Sequence, residues 1–263
     1  MLTGSNDGRR NWTRDELIVA FNLYCRLPFS RIHYRNPKVV DLARILGRTP
    51  SSLALKLVNY ARLDPELRRR HVAGMSHESK SEEGIWNEFH EDWEKLAYKS
   101  EQILAQLKGV PLDQLVSQES SVDMPPEGKT REQVIQARVN QSFFRAVVLS
   151  SYHDRCCITD IEVPELLVAG HIIPWAVDEK NRMNPRNGLC LNVLHEKAFD
   201  RGLITITPEY KVLVSKYLKK SQKNETVVSL FLAYDGAPIR LPEKFLPDRD
   251  LLGLHARNIF LKN

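Results

Sequence analysis

CCITDIEVPELLVAGHIIPWAVDEKNRMNPRNGLCLNVLHEKAFDR, residues 156–201, decides how the chain is read. Its apolar run Leu166-Leu167-Val168-Ala169 reads as a buried strand, and His171 follows closely. A polar, turn-rich loop runs from Asp178 to Asn187. Leu189, Leu191, Leu194, Ala198 and Phe199 then accompany His195 in a segment that reads as a short helix. Strand, loop and helix would bring two imidazoles and one amide together. Those groups suit hydrolysis of a phosphodiester: one imidazole takes a proton from water near neutral pH, and the other holds a divalent metal. The amide ties the loop so that the base stays aimed. Taken singly, each residue has an ordinary reading, as a core histidine, an Asn-Gly turn or a helix-surface histidine.

Gly170-His171-Ile172-Ile173-Pro174, followed by Asn187 and His195, resembles the HNH endonucleases, whose fold is a ββα-metal unit. The wider pattern adds Tyr152, Cys157-Ile158-Thr159-Asp160, Asn187-Gly188-Leu189 and Phe199-Asp200-Arg201-Gly202. It is closest to a branch found in bacterial restriction-type proteins, and it covers about the C-terminal half. The resemblance implies three catalytic residues: His171 as general base, Asn187 as the residue that fixes the loop, and His195 as a metal ligand. It also implies a divalent cofactor, Mg²⁺ or Mn²⁺. Two departures from the family stand out. Many members carry an acidic residue or histidine just before the base, where this chain has Gly170; Asp200 is the nearest downstream carboxylate able to compensate as a metal ligand. Cys156 is followed three residues later by Thr159 and Cys190 has no cysteine partner nearby, so no structural zinc is expected.

The 263 residues suffice for one large domain or two ordinary ones, and 42% hydrophobic content supports a proper core. No apolar run reaches the eighteen or so residues of a membrane span. The polar start MLTGSNDGRRNW argues against secretion, and four cysteines do not make a disulfide framework in a chain of this length, so a cytoplasmic location is expected. Charge is unevenly distributed. Residues 1–70 carry 14 Lys/Arg against 6 Asp/Glu, residues 71–130 carry 5 against 12, and residues 131–263 carry 19 against 15. The two basic regions suit a phosphate backbone, although charge runs are also ordinary solvated faces.

Helix signals dominate the first hundred residues. Thr13 and Glu16 form a capping box ahead of Leu17, Ala20, Phe21 and Tyr24. Asn36-Pro37 starts a second helix that Gly47 ends, and Thr49-Pro50 starts a third. Residues 39–60 look like a helix-turn-helix, and Trp12 before the first helix is similar to Myb-like domains. The third helix would then read DNA through Arg48, Ser51, Ser52, Lys56 and Asn59. A plain three-helix bundle gives similar patterns. From Glu82 to about Lys108 a further helix is expected, with Trp86, Phe89 and Trp93 on one face and Glu82 among the acids opposite.

The fold class expected is α+β, an all-helical N-terminal domain plus a C-terminal ββα-metal (HNH) nuclease domain. The expected boundaries are 1–108 for the helical domain, 109–129 for a linker rich in Pro, Ser and acids, and 130–263 for the nuclease domain. A helix over 130–151 carries Arg145, which contacts phosphate or braces the nuclease unit. Strands are expected at 203–207 and 210–215, and the lysine-rich stretch 216–223 reads either as a segment that follows a phosphate backbone or as a basic solvated loop. The leading reading is a metal-dependent DNA endonuclease of restriction or phage-defence type acting on double-stranded DNA. A homodimer is one route to cutting both strands, and a cognate methyltransferase would be a partner of such an enzyme. The alternative is a DNA-binding regulator whose HNH unit is inactive.

Overall fold

The structure, a computed structural model, describes residues 10–69, 80–117 and 130–261. The last arginine of the run 68–70, most of the polar stretch that follows it, and residues 118–129, the C-terminal part of the expected linker, lie outside the described residues. The chain separates into two compact units, residues 1–143 and 144–263. The architecture is the α+β one expected, with a helical N-terminal region and short antiparallel strand pairs in the C-terminal part.

The first unit is built from α1 (Arg14–Cys25), α2 (Pro37–Ile45), α3 (Pro50–Leu63), α4 (Pro65–Arg69), α5 (Lys80–Phe89), α6 (Trp93–Lys108) and α7 (Leu112–Ser117). α1 starts where the capping box places it: Thr13 Oγ1 accepts from the Glu16 N–H, and Glu16 Oε2 accepts from the Thr13 N–H at 2.8 Å. The helix is buried nearly all round, from Leu17 to Phe21 and at Tyr24 and Cys25, because α3, α5 and α6 all pack on it. Phe21, Tyr24, Tyr60 and Trp86 form one aromatic cluster around it. Gly47, with φ +60°, makes the turn between α2 and α3, a conformation that costs a side-chain-bearing residue energy.

Three findings depart from the expected pattern. The single helix expected over 82–108 is two, because Asp92 accepts from the Lys95 N–H and caps a new helix at Trp93. Glu82, expected on the wet face, is fully buried and accepts from Lys56 Nζ at 2.6 Å and Asn59 Nδ2 at 2.9 Å. Part of the expected linker is helical: α7 buries Leu115 and Val116.

Arg48 is also an internal residue. Its guanidinium donates to both Glu16 carboxylate oxygens at 3.0 and 2.8 Å and to the Arg10 and Asn11 carbonyls at 2.7 Å, and it lies over the Trp12 ring. Arg48→Ala should therefore cost stability. Glu16 keeps a second partner in Arg10 at 2.8 Å, so the loss should fall at about 2–3 kcal/mol, within the range for charged hydrogen bonds. Urea unfolding of the variant checks this, and a change below about 0.5 kcal/mol would place Arg48 among ordinary surface residues.

α8 (Arg131–Ser151) follows, opened by Thr130 and Gln133, each of which accepts from the other's backbone N–H. The second unit begins within this helix, at Phe144. β1 (Leu167–His171) pairs antiparallel with β2 (Gly188–Asn192), in a register that sets Gly170 opposite Leu189 and His171 opposite Gly188. α9 (Val193–Asp200) follows β2 directly, capped by Asn192. β3 (Ile204–Ile206) and β4 (Val212–Val214) form a second hairpin. The lysine-rich stretch contains α10 (Lys216–Lys219), capped by Ser215, and α11 (Glu225–Leu230) and α12 (Arg249–Asn258) complete the chain. Two glycines set the packing. A Cβ on Gly188 would lie 2.4 Å from Val148 Cγ2, so only glycine lets β2 approach α8 there; one on Gly202 would lie 2.1 Å from the Ile259 carbonyl oxygen.

Candidate active site

β1, β2 and α9 form a ββα unit, and an open cavity of about 420 Å³ lies along it. Gly170, His171 and Trp175 line one side of it; Glu196, Asp200 and Arg201 are contributed by α9 and the residue after it.

His171 ends β1 and is held on three sides. Phe144 stacks flat on the ring, with centroids 4.0 Å apart and planes 4° from parallel, and Trp175 meets it edge-on at 5.6 Å. The third contact sets the tautomer. Nε2 lies 3.0 Å from the Arg182 carbonyl oxygen, which can only accept, so Nε2 carries the proton and Nδ1 keeps its lone pair. Burial holds the ring below the usual histidine value, against the Arg182 carbonyl and the Asp200 charge, which both raise it. An imidazole of this kind accepts a proton at neutral pH.

The loop that supplies the Arg182 carbonyl is closed by Asn187. This side chain is fully buried: its Oδ1 accepts from the Ile173 N–H at 2.8 Å, and its Nδ2 donates to the Ile173 and Asn181 carbonyls at 3.1 and 3.2 Å. Its backbone carbonyl accepts from the Ile172 N–H at 2.8 Å. Asp178, Asn181 and Asn184 continue the network along the loop.

His195 lies on the other face of α9, among the core residues, with 1% of its surface exposed. Asn192 uses its Oδ1 for the N–H groups of Leu194 and His195, so its Nδ2 donates to His195 Nδ1 at 2.9 Å. His195 Nε2 donates to the Leu230 carbonyl at 2.6 Å, and Phe231 and Tyr234 meet the ring edge-on. Both ring nitrogens of His195, for which the resemblance implies a ligand role, are thus engaged within the protein. His195 instead pins residues 230–234 to the ββα unit. His195→Ala should leave the Leu230 carbonyl unpaired, while the Asn192 amide keeps Thr159 Oγ1 at 3.2 Å, and cost about 1–3 kcal/mol in denaturant unfolding. Unchanged stability in the variant would contradict the bracing role.

Asp200 is exposed at the cavity and close enough to His171 to raise its pKa. Glu196 sits one helical turn before it, half-buried on the same face, close enough for the two carboxyls to act on each other. Burial and the Asp200 charge push Glu196 above the usual carboxylate value. Sequence reasoning missed Glu196, although its i, i+4 spacing from Asp200 was available. The stacking role of Phe144 was missed too, having no local signal. Among the described residues no group of three or more His, Cys, Asp or Glu side chains is disposed to hold a metal ion. The donor chemistry at the cavity is nevertheless suitable, since the exposed Asp200 carboxylate is a hard oxygen donor of the kind Mg²⁺ and Mn²⁺ take alongside water. The four cysteines are free and buried.

The expected DNA-reading residues are scattered in role. Arg48 is buried against Glu16, and Lys56 and Asn59 donate to the buried Glu82. Ser51 is exposed and Ser52 half-buried at the start of α3. Arg145 is exposed and donates weakly to the Pro164 carbonyl at 3.4 Å. Among the described residues no helix is long and apolar enough to cross a membrane.

Residues 156–207 match the HNH_2 family of HNH endonucleases. The matched segment spans the hairpin, α9 and β3, and nucleases of the HNH type generally use divalent metal ions. No curated protein matches the sequence.

Proposed function

We propose that this protein is a metal-dependent DNA endonuclease of restriction or phage-defence type, with His171 as the general base. The observation that carries this reading is the His171 ring itself. It lines an open cavity with Asp200, its Nε2 proton is committed to the Arg182 carbonyl, and its Nδ1 lone pair is kept. Nδ1 takes a proton from water, whose oxygen attacks phosphorus as the bond to the 3′ oxygen breaks; that oxygen takes a proton from solvent, leaving a 3′-hydroxyl and a 5′-phosphate. Asn187 holds the loop that orients the ring, and a base displaced by 1 Å loses about a hundredfold in rate. Asp200 would hold a Mg²⁺ or Mn²⁺ ion, which when bound steadies the charge on the phosphate and the leaving oxygen. The helical N-terminal unit grips duplex DNA, supported by the basic balance of residues 1–70, with Ser51 and Ser52 at the start of α3 as contacts and Arg48, Lys56 and Asn59 fixing that helix from within.

Side-by-side digestion of end-labelled duplex DNA and RNA of one sequence, with Mn²⁺, tests the substrate class. DNA should be cut to products that a ligase can rejoin, as 5′-phosphate ends require. Cutting of RNA alone would overturn the DNA assignment.

A further inference from the structure

α9 brings Glu196 and Asp200 to the cavity one turn apart. Two carboxyls side by side repel when both are ionised, and a fold tolerates the pair at a cost unless a cation or a shared proton relieves it. The strand opposite is shaped around one member of the pair. Gly170, the residue before His171, has no side chain, and a Cβ built there would lie 3.4 Å from Glu196 Cγ, with Leu191 Cδ1 equally close. The Glu196 stem therefore occupies the space over β1 that a longer side chain at position 170 would fill, with its carboxyl beside Asp200. Lys197 and Arg201 also line the cavity, and the Lys197 charge acts on Glu196, against the larger effects of burial and of Asp200.

We propose that Glu196 is the second carboxylate ligand of the divalent ion, and that position 170 is bare so that Glu196 can reach it. The proposal rests on the nuclease reading and adds the residue that completes its metal site. Asp200 stands at the end of the helix next to the base; Glu196 supplies the second oxygen donor from the preceding turn, and together they give the site the charge that a hard divalent ion needs.

Titration of Mn²⁺ into the full chain, followed by the loss of the free-ion electron paramagnetic resonance signal, tests this without any reference to cleavage. Glu196→Gln should weaken Mn²⁺ binding by about tenfold or more, since ligand charge count sets affinity in such sites. Gly170→Val, whose γ-methyls displace the Glu196 stem, should do the same, whereas Gly170→Ala should stay within about threefold, its Cβ making only ordinary contacts. Metal-free Glu196→Gln should melt at or above wild type, because one of two repelling charges is gone; a structural Glu196 braced by Lys197 or Arg201 would melt lower. Wild-type Mn²⁺ affinity in Glu196→Gln overturns the proposal. If such a variant still cuts DNA with Mn²⁺, the nuclease reading stands and only the Glu196 assignment falls. A wild-type chain that neither binds Mn²⁺ nor cuts DNA overturns both.

Discussion

His171→Ala is expected to lower the rate of DNA cleavage by about 10²–10⁴-fold, the usual contribution of a positioned general base. The loss should appear in kcat, because the ring acts on water as the phosphate bond breaks, and DNA binding should be little changed. A second signature follows from the ring's surroundings. Burial holds the His171 pKa below the usual 6.5, so the base is already free of its proton at pH 7. The acid limb of the pH–rate profile should accordingly lie below pH 6.5, with activity falling as pH drops through the ring's lowered pKa. Phe144→Leu, which exposes one face of the ring to water, should move that limb upward. A profile whose acid limb lies above pH 7 would contradict the assignment.

Asn187→Ala is expected to have the second-largest effect, on stability and rate together. The variant strips a buried N–H and two carbonyls of their partner. Unpaired buried groups cost about 1–3 kcal/mol each, relieved where water enters, so a loss of about 3 kcal/mol is expected in urea unfolding. The chemical consequence is separate. Asn187 holds the loop that carries the Arg182 carbonyl, and that carbonyl sets both the tilt and the tautomer of His171. Releasing it should cost about a hundredfold in rate even at temperatures where the variant stays folded. Asn187→Asp separates the parts: its carboxylate still accepts from Ile173 N–H but faces the Ile173 and Asn181 carbonyls without a proton to donate. If Asn187→Ala lost stability but kept full activity, the loop would have no aiming role.

The ββα unit was legible because its signals are local. The strand run ending at His171 and the apolar spacing of Leu194, Ala198 and Phe199 each sit within a few residues and appear close to where the pattern placed them, but Leu189 and Leu191, read as part of that helix, lie in β2, whose partner strand is some twenty residues away. The helix starts at Thr13, Asn36 and Thr49 were legible for the same reason, since a cap bonds to its own first turn. What was not legible depends on distant partners. His195 faces the core because a carbonyl at residue 230 takes its proton, and Arg48 turns inward because Glu16 lies 32 residues before it. Lys56 and Asn59 look like groove-facing residues until Glu82 appears between them, and a run of acids gives no hint that one of its members is buried. Glu196 is a different case, because its spacing from Asp200 was visible but its nearness to Gly170 needs β1 and α9 together.

The most direct measurement is cleavage of supercoiled plasmid by the wild-type chain and by His171→Ala, each with Mg²⁺, Mn²⁺ or EDTA, on modified and unmodified DNA. Nicked or linear product that requires the metal and disappears in His171→Ala is the result expected, and linear product appearing without a nicked precursor would show both strands cut in one encounter. Cleavage that survives EDTA, or that His171→Ala retains at the wild-type rate, would contradict a metal-dependent nuclease with His171 as its base.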